Sequence, residues 1–490
     1  MNPYKKFTKD VGLVGIAQII GTLKGLILLP ILTKTLGTEM YGTWALIMAI
    51  ISFLMPLALL QLGFAMTRFL AAEKDKAKIN RGVSSIFAAS SFTAFILSFL
   101  IFILAESLAL AVFGGAGAAY FVKLAAFLVL LMTLDQVIIE YFVAFQQMER
   151  YAAFSILQMV GEVVLTGYLV LSGYGLFGAI VSLLVVKVLV FAAGVLVVWR
   201  EVRVSKPSIA MIKSYLGFSL PLIPNGLCIW IITLSDRYVI GYFMNIDAVG
   251  IYSAAYGLGS LVAFFYSPIS IVLLPALTNF FGNNEVKELK TYLKYSLNFY
   301  LMFAIPSFFG ISILSKPLLG TLTTPEFVSG YLIVSIVALA TIFLNCASII
   351  NNGLVLFNKT KTIGLITIIS ALINLISNII LVPLVGILGA AISTLMTFII
   401  LLLITTYLNF KRLPFDIDLN FITKSVLSSS IMVLVILQLN LIGVVNILIS
   451  IGIATVVYFG VLILLKGFTR GEYIFLKGII RGVGQKSPKQ

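Results

Sequence analysis

The chain has 490 residues, 61% of them hydrophobic and 10% charged, with a mean hydropathy of +1.13. Soluble domains run at roughly 45 to 50% apolar and about 25% charged, so the composition excludes an ordinary soluble protein and indicates a polytopic membrane protein. Histidine is absent and cysteine numbers 2, which removes histidine catalysis, histidine metal sites and histidine proton relays and leaves no disulfide framework.

Lys5, Lys6 and Lys9 precede the first apolar run, 11–33. That run is too long for a signal-peptide core, and 28–37 offers no small-x-small cleavage site, so a retained first helix is expected. A helix needs roughly 20 apolar residues to span the hydrocarbon. Lys24 lies near the middle of this one, among Gly12, Gly15, Gly21 and Gly25. A mid-span lysine costs about 2.5 to 3.5 kcal/mol on insertion scales, so Lys24 must meet an anion: either a ligand's, or an acidic side chain on another helix that it pairs with to hold the bundle.

Thirteen further apolar segments follow at approximately 42–69, 83–112, 120–145, 153–172, 176–199, 214–243, 250–279, 295–314, 329–357, 363–381, 388–410, 424–440 and 445–465. Their connections alternate in basic content. One set carries Lys5, Lys6, Lys9; Lys74, Lys76, Lys78, Arg81; Arg150; Arg200, Arg203, Lys206, Lys213; Lys287, Lys290, Lys294; Lys359, Lys361; Lys411, Arg412, Lys424; and six more beyond Leu465, whereas the other set holds only Lys34 and Lys316. Cytoplasmic loops collect Lys and Arg, so both termini are expected in the cytoplasm. The net charge of +15 is then topological and not a nucleic-acid footprint. The basic tail, with Phe468, Tyr473, Phe475, Ile479 and Ile480, reads either as a segment lying on the anionic inner leaflet or as a disordered one.

The halves echo each other. Leu36-Gly37-Thr38-Glu39-Met40-Tyr41-Gly42-Thr43-Trp44 matches Met244-Asn245-Ile246-Asp247-Ala248-Val249-Gly250-Ile251-Tyr252 at an offset of 208, and Gly175-Leu176-Phe177-Gly178-Ala179 matches Gly386-Ile387-Leu388-Gly389-Ala390 at 211. This predicts a repeat of helices one to six by seven to twelve, each unit with an even number of spans. The two six-helix lobes then share one orientation about a pseudo-twofold along the membrane normal, a transporter architecture with its site between the repeats. The expected division is an N-terminal lobe over 1–205, a C-terminal lobe over 206–412, two additional helices over 413–466 and a basic cytoplasmic tail over 467–490.

Ionisable residues in or beside the spans are Lys24, Arg68, Glu106, Lys123, Asp135, Glu140, Glu162, Lys187, Asp236 and Arg237, all in the first seven segments. The later segments carry Ser, Thr and amides such as Asn345 and Asn374, the latter matching Glu162 in the repeat. Asp135, Glu162, Lys24 and Lys187 fit either a neutral interhelical network or cation coupling. Asp236 and Arg237 point about 100° apart on a helix, so they are not expected to satisfy only each other. Pro221, Pro224, Pro268 and Pro275 form the densest set of helix-bending prolines.

Leu29-Pro30, Leu36-Gly37, Tyr41-Gly42, Leu62-Gly63-Phe64 and Arg68, followed in the second half by Leu220-Pro221, Ser235-Asp236-Arg237, Ile240-Gly241 and Val249-Gly250-Ile251-Tyr252-Ser253, resemble the polysaccharide and O-antigen flippases. The resemblance implies a V-shaped fold of all-α type, like that of multidrug and toxin extrusion transporters, with about fourteen transmembrane helices. It implies a substrate consisting of an oligosaccharide on a polyprenyl (di)phosphate, turned from the cytoplasmic to the outer leaflet of the plasma membrane by alternating access. Glycosyltransferases or a polymerase are expected partners, and no nucleic acid.

Lys24, Arg68, Arg237 and Lys187 are the expected cavity cations toward phosphate or acidic sugar. Asp135, Glu162, Glu140 and Asp236 are the candidates for coupling Na⁺ or H⁺, with no other cofactor. No phosphate-binding Gly-x-x-x-x-Gly-Lys-Ser/Thr loop is present, so the driving force is expected from membrane potential or an ion gradient. A cation-coupled multidrug antiporter of the same fold and a lipid II flippase are the alternatives. No loop is long enough for a catalytic domain, so an enzyme is not expected.

Overall fold

A computed structural model describes residues 3–439 and 443–467. Among the described residues there is no strand, and the helices are α1 (Pro3–Leu59), α2 (Leu62–Leu70), α3 (Lys76–Ile103), α4 (Ala105–Phe113), α5 (Ala119–Ala144), α6 (Met148–Leu169), α7 (Gly175–Glu201), α8 (Ile209–Ser219), α9 (Ile223–Phe243), α10 (Ile246–Gly259), α11 (Ser267–Gly282), α12 (Val286–Leu322), α13 (Tyr331–Leu356), α14 (Thr360–Val385), α15 (Ile387–Phe410), α16 (Leu419–Ile436) and α17 (Val444–Leu464). The tail beyond Gly467 lies outside the described residues.

Among the described residues, twelve stretches of helix are long and apolar enough to cross a membrane. Two of them, Gly12–Leu70 with 59 residues and Met148–Glu201 with 54, would each reach about 80 Å or more at 1.5 Å per residue, far beyond the roughly 30 Å hydrocarbon core. Each therefore holds two crossings, which gives the fourteen expected from the hydropathy pattern. The first is bent at Gly37, whose φ of 70° and ψ of −175° is open to glycine and strained for other residues. The second is bent at the π-helical turn Val170–Tyr174.

The breaks differ from expectation where the sequence offers a local reason. The expected eighth span, 250–279, is divided between α10 and α11, with Pro268 in the first turn of α11; a proline is tolerated there because its missing N–H would have had no helical partner. The seventh is bent through a 3-10 turn at Leu220–Leu222, which contains Pro221 and leads into Pro224 in the first turn of α9, as the proline pair predicts.

The described residues gather into two compact units, one of residues 16–253 with 375–390, the other of 3–15, 254–374, 391–439 and 443–467. In the first, Leu62, Met66 and Leu70 of α2 pack with Ile86, Val137, Phe142, Val198 and Tyr215 from α3, α5, α7 and α8. In the second, Leu293, Tyr300 and Ile305 of α12 pack with α13 and with Met432, Ile436, Tyr458 and Leu462, which fixes α16 and α17 to α12. Several polar groups buried in this second unit pair with neutral partners. Asn345 Nδ2 donates to Tyr300 Oη at 2.9 Å, Asn374 Nδ2 to Thr397 Oγ1 at 3.3 Å, and Ser425 and Tyr458 share a hydrogen bond of 2.8 Å.

The first repeat signature has a spatial meaning. Gly42 and Gly250, matched at offset 208, lie against each other, and a Cβ on Gly42 would collide with the Ile246 carbonyl oxygen while one on Gly250 would collide with that of Thr38. Thr38 and Ile246 are themselves matched positions, so the contact is reciprocal. Thr38 Oγ1 donates to Asp247 Oδ1 at 2.5 Å beside it. Helix backbones approach this closely only where small residues face each other. Gly42→Val or Gly250→Val is accordingly expected to destabilise the protein by about 1 to 3 kcal/mol, the usual range for overpacking. Thermal unfolding in detergent checks this, with Gly241→Ala as the benign control, since a Cβ there meets Val249 at an ordinary 3.5 Å.

Candidate functional site: a charged tract inside the first helical unit

The ionisable residues of the spans are held by α1, α2, α4, α5, α6, α7 and α9, all in the first unit apart from the start of α1. Lys24 of α1 forms an ion pair with Glu162 of α6. Gln158, one helical turn before Glu162, donates from Nε2 to the other carboxylate oxygen at 2.9 Å. Glu162 is 2% exposed and the Lys24 side chain 31%, so the carboxylate is sealed while the lysine keeps a partly open side. The acidic side chain on another helix that Lys24 meets is therefore Glu162.

Asp135 of α5 is taken by Lys187 of α7 at 2.8 Å, with side-chain exposures of 3% and 7%. Asp135 Oδ1 is left without a hydrogen-bond partner. Taking two charges out of water costs several kcal/mol each, and close pairing recovers this only with good geometry. The pair thus ties α5 to α7 at a site where either charge alone is costly.

Near these pairs lies a cavity of about 450 Å³, walled by Gly63, Phe64 and Thr67 of α2, Gln136, Ile139, Glu140 and Val143 of α5, Tyr151, Ser155, Gln158 and Met159 of α6, and Lys187 of α7. Lys187 reaches it directly, and Glu162 is linked to it through Gln158. Glu140 lies on its wall with Oε2 buried and without a hydrogen-bond partner.

Asp236 and Arg237 of α9 form a separate cluster. Arg237 Nη1 reaches Asp236 Oδ1 and the Thr233 carbonyl, each at 2.9 Å, and the Arg237 backbone N–H also donates to Asp236. Tyr252 donates its hydroxyl to Asp236 Oδ2 at 2.5 Å. The neighbours do pair, because a guanidinium on a flexible stem folds back across the angle that separates their Cβ atoms. Asp236 nevertheless depends on a second helix, as the angle argument requires.

Arg68, at the end of α2, differs from the other cations. Its guanidinium stacks on Phe218 at 4.3 Å and Phe69 at 5.7 Å from the ring centroids, and among the described residues it makes no ion pair. Lys123 and Glu106 pair at 3.5 Å on an open face, the interfacial setting where such pairs contribute little.

Gln158, Gln136 and Ser155 were not singled out in the sequence. Gln158 and Gln136 had a signal, each standing four residues before an acid, Glu162 and Glu140, on one helix face; Ser155 had none. Chemically, the tract holds one partly exposed lysine, Lys24, cations closed in ion pairs, carboxylates with an unsatisfied oxygen, and neutral oxygen donors around an open cavity. Such an arrangement can bind and release ions inside an apolar helical bundle.

Among the described residues, helices long enough for fourteen crossings and charges paired within the spans define a polytopic helical membrane protein. The chain belongs to the polysaccharide biosynthesis protein family, which residues 7–281 match; residues 221–380 also match the MatE family. It is 27% identical over 230 residues to a probable low-salt glycan biosynthesis flippase, Agl15, of Haloferax volcanii, covering 47% of this chain and 48% of that one. The match thus spans about half of the relative's length. Among solved structures it is similar to the lipid II flippase MurJ in an inward closed conformation, with a TM-score of 0.74, 19% identity and coverage of 97% of this chain and 100% of that one. A MATE crystal structure in the straight conformation follows with a TM-score of 0.62, 16% identity and coverage of 84% and 96%. These likenesses bear out the expected flippase family and its helical fold.

Proposed function

We propose that this protein is a flippase that carries an oligosaccharide linked to a polyprenyl (di)phosphate from the cytoplasmic to the outer leaflet of the plasma membrane by alternating access. The observation that carries the proposal is the family match over 7–281 in a bundle whose spans hold Lys24, Arg68, Lys187 and Arg237. A diphosphate cannot enter hydrocarbon bare, because an ion taken from water to a low-dielectric medium loses of the order of 20 kcal/mol of solvation. Fixed cations lower that cost, while the lipid tail remains in the bilayer.

Lys24, with its open side, and Arg68, with no acidic partner among the described residues, are the cations best placed to meet phosphate or an acidic sugar. Lys187 and Arg237 are occupied by Asp135 and Asp236 and act on the anion only by exchanging partners. Outward movement of each negative charge gains about 2.3 kcal/mol per 100 mV of inside-negative potential. A bound Na⁺ or H⁺ is the other source of drive. The alternation of basic loops supports cytoplasmic termini, and the lipid-linked substrate places the protein beside the glycosyltransferases that build it and the polymerase or ligase that uses it. The polypeptide supplies binding and movement without making or breaking covalent bonds.

The test is flipping of lipid-linked oligosaccharide by the purified protein in proteoliposomes, with lipid II and a cationic dye as competing substrates. Transport of the oligosaccharide lipid supports the proposal. Dye efflux without any effect on the glycolipid points to the multidrug reading instead, which the MatE match over 221–380 favours. Replacing Arg68 by Ala is expected to reduce flipping about tenfold or more and by Lys to reduce it less, since Lys keeps the charge but loses the planar stacking on Phe218; initial flipping rates decide between them.

A further inference from the structure

Of the acidic side chains within the spans of the first unit, Glu106 pairs with Lys123 on an open face, and three buried ones hold a cation. Asp135 is paired with Lys187, Glu162 with Lys24, and Asp236 with Arg237 and Tyr252. Glu140 has no ion pair among the described residues. Gln136, one turn earlier, is the side chain in reach of it, and Oε2 remains buried without a partner.

The position of that carboxylate is set by a glycine. A Cβ on Gly63 would overlap the Glu140 carboxylate, meeting its Oε1 at 2.6 Å and the rest of the group closer still. The missing side chain on α2 thus makes the space in which the carboxylate lies. Around the group the cavity offers Thr67, Ser155 and Tyr151 hydroxyls and the Gln136 amide. The titratable groups that face the cavity besides Glu140 are Tyr151 and Lys187, and Lys187 already holds Asp135.

We infer that Glu140 is the exchangeable cation acceptor of this helical unit, taking one monovalent cation, a proton or Na⁺, in the cavity between α2, α5, α6 and α7. Charge and donor chemistry select the ligand. One carboxylate with hydroxyl and amide oxygens suits a hard monovalent ion or a proton. The Lys187 ammonium on the wall opposes a second positive charge, and a divalent cation ordinarily recruits more carboxylate than this. Asp135 and Glu162, each committed to a lysine, are structural ties, and releasing either for a cation would strand that lysine in the bundle.

Cation binding here stands apart from the flippase reading; only the coupling of binding to transport rests on it. The experiment is a titration of the purified full chain in detergent, following thermal stability and intrinsic fluorescence against Na⁺, with N-methylglucamine as the control cation, and separately against pH. The wild type is expected to show a saturable Na⁺ response or a pH transition. Glu140→Gln is expected to fold with a similar melting temperature in the absence of the cation and to lose that response, with the Na⁺ midpoint at least tenfold weaker. Gly63→Ala, which keeps the carboxyl but displaces it, is expected to weaken the response as well and guards against misfolding of the first variant. Ser155→Ala and Thr67→Val separate the two ligands, since they weaken a Na⁺ response and leave a proton response in place. A wild type without either response, or a Glu140→Gln variant that keeps it, overturns the inference. Loss of the cation response in a protein that flips no lipid-linked glycan supports the cation site and removes the flippase reading.

Discussion

Lys24→Ala is expected to abolish flipping of the lipid-linked oligosaccharide in proteoliposomes, and Lys24→Arg to retain part of it. The ammonium has two duties. Its open side is available to an anion in transit, and its other side neutralises Glu162, which is 2% exposed. Removing the lysine leaves a buried carboxylate without a countercharge, which costs about 3 to 5 kcal/mol. The single variant is therefore expected to lose stability as well as transport.

Lys24→Ala with Glu162→Gln separates the two duties, because it removes the stranded charge while withholding the cation from the substrate. If stability returns and flipping does not, the lysine serves the substrate. Flipping restored in the double variant, or full activity of Lys24→Ala alone, would show that it acts only as the partner of Glu162.

The second large effect belongs to the pair that is closed on both sides. Lys187→Met is expected to lower stability by about 3 to 5 kcal/mol, since Asp135 is left unpaired in the bundle interior. Lys187→Met with Asp135→Leu is expected to recover most of that loss, because well-packed apolar replacements of a buried ion pair are often neutral or stabilising by about 1 to 4 kcal/mol. Chemical or thermal unfolding in detergent measures both. A single variant as stable as the wild type would mean that Asp135 finds water or another donor when Lys187 is gone. The same double variant is expected to keep the cation response assigned to Glu140, which distinguishes a structural tie from a coupling site.

Much of this architecture was legible from the sequence because membrane insertion writes it twice, once in the length of the apolar runs and again in the alternation of Lys and Arg between them. What was less legible was local. The third expected span, 83–112, ends instead in two helices that meet at Leu104, a break with no proline or glycine to announce it. The eighth divides ahead of Pro268, whose effect on position is readable only once its place in the first turn is known.

The site followed the same rule. Every ionisable residue of the tract could be picked out as an expensive charge in an apolar run, yet its partner could not be. Lys24 and Glu162 are 138 residues apart, and helical spacing within each span fixes neither the rotation of one helix against another nor their depth. Gly63 shows the limit most clearly. In the sequence it is one more small residue of the flippase signature, and only the packing of α2 on α5 reveals that its missing side chain is the seat of the Glu140 carboxylate.

The distance along the chain between paired charges also bears on how the protein is made. At about 5 to 20 residues per second, Lys24 leaves the ribosome about 7 to 28 s before Glu162, whereas Asp135 waits about 3 to 10 s for Lys187, 52 residues later. Through that interval the first helix carries a lone ammonium that the bilayer disfavours. The nascent chain therefore has reason to keep its first helix at the insertion machinery until the fifth arrives, so that assembly of this bundle is timed by its charges as well as by its hydrophobic segments.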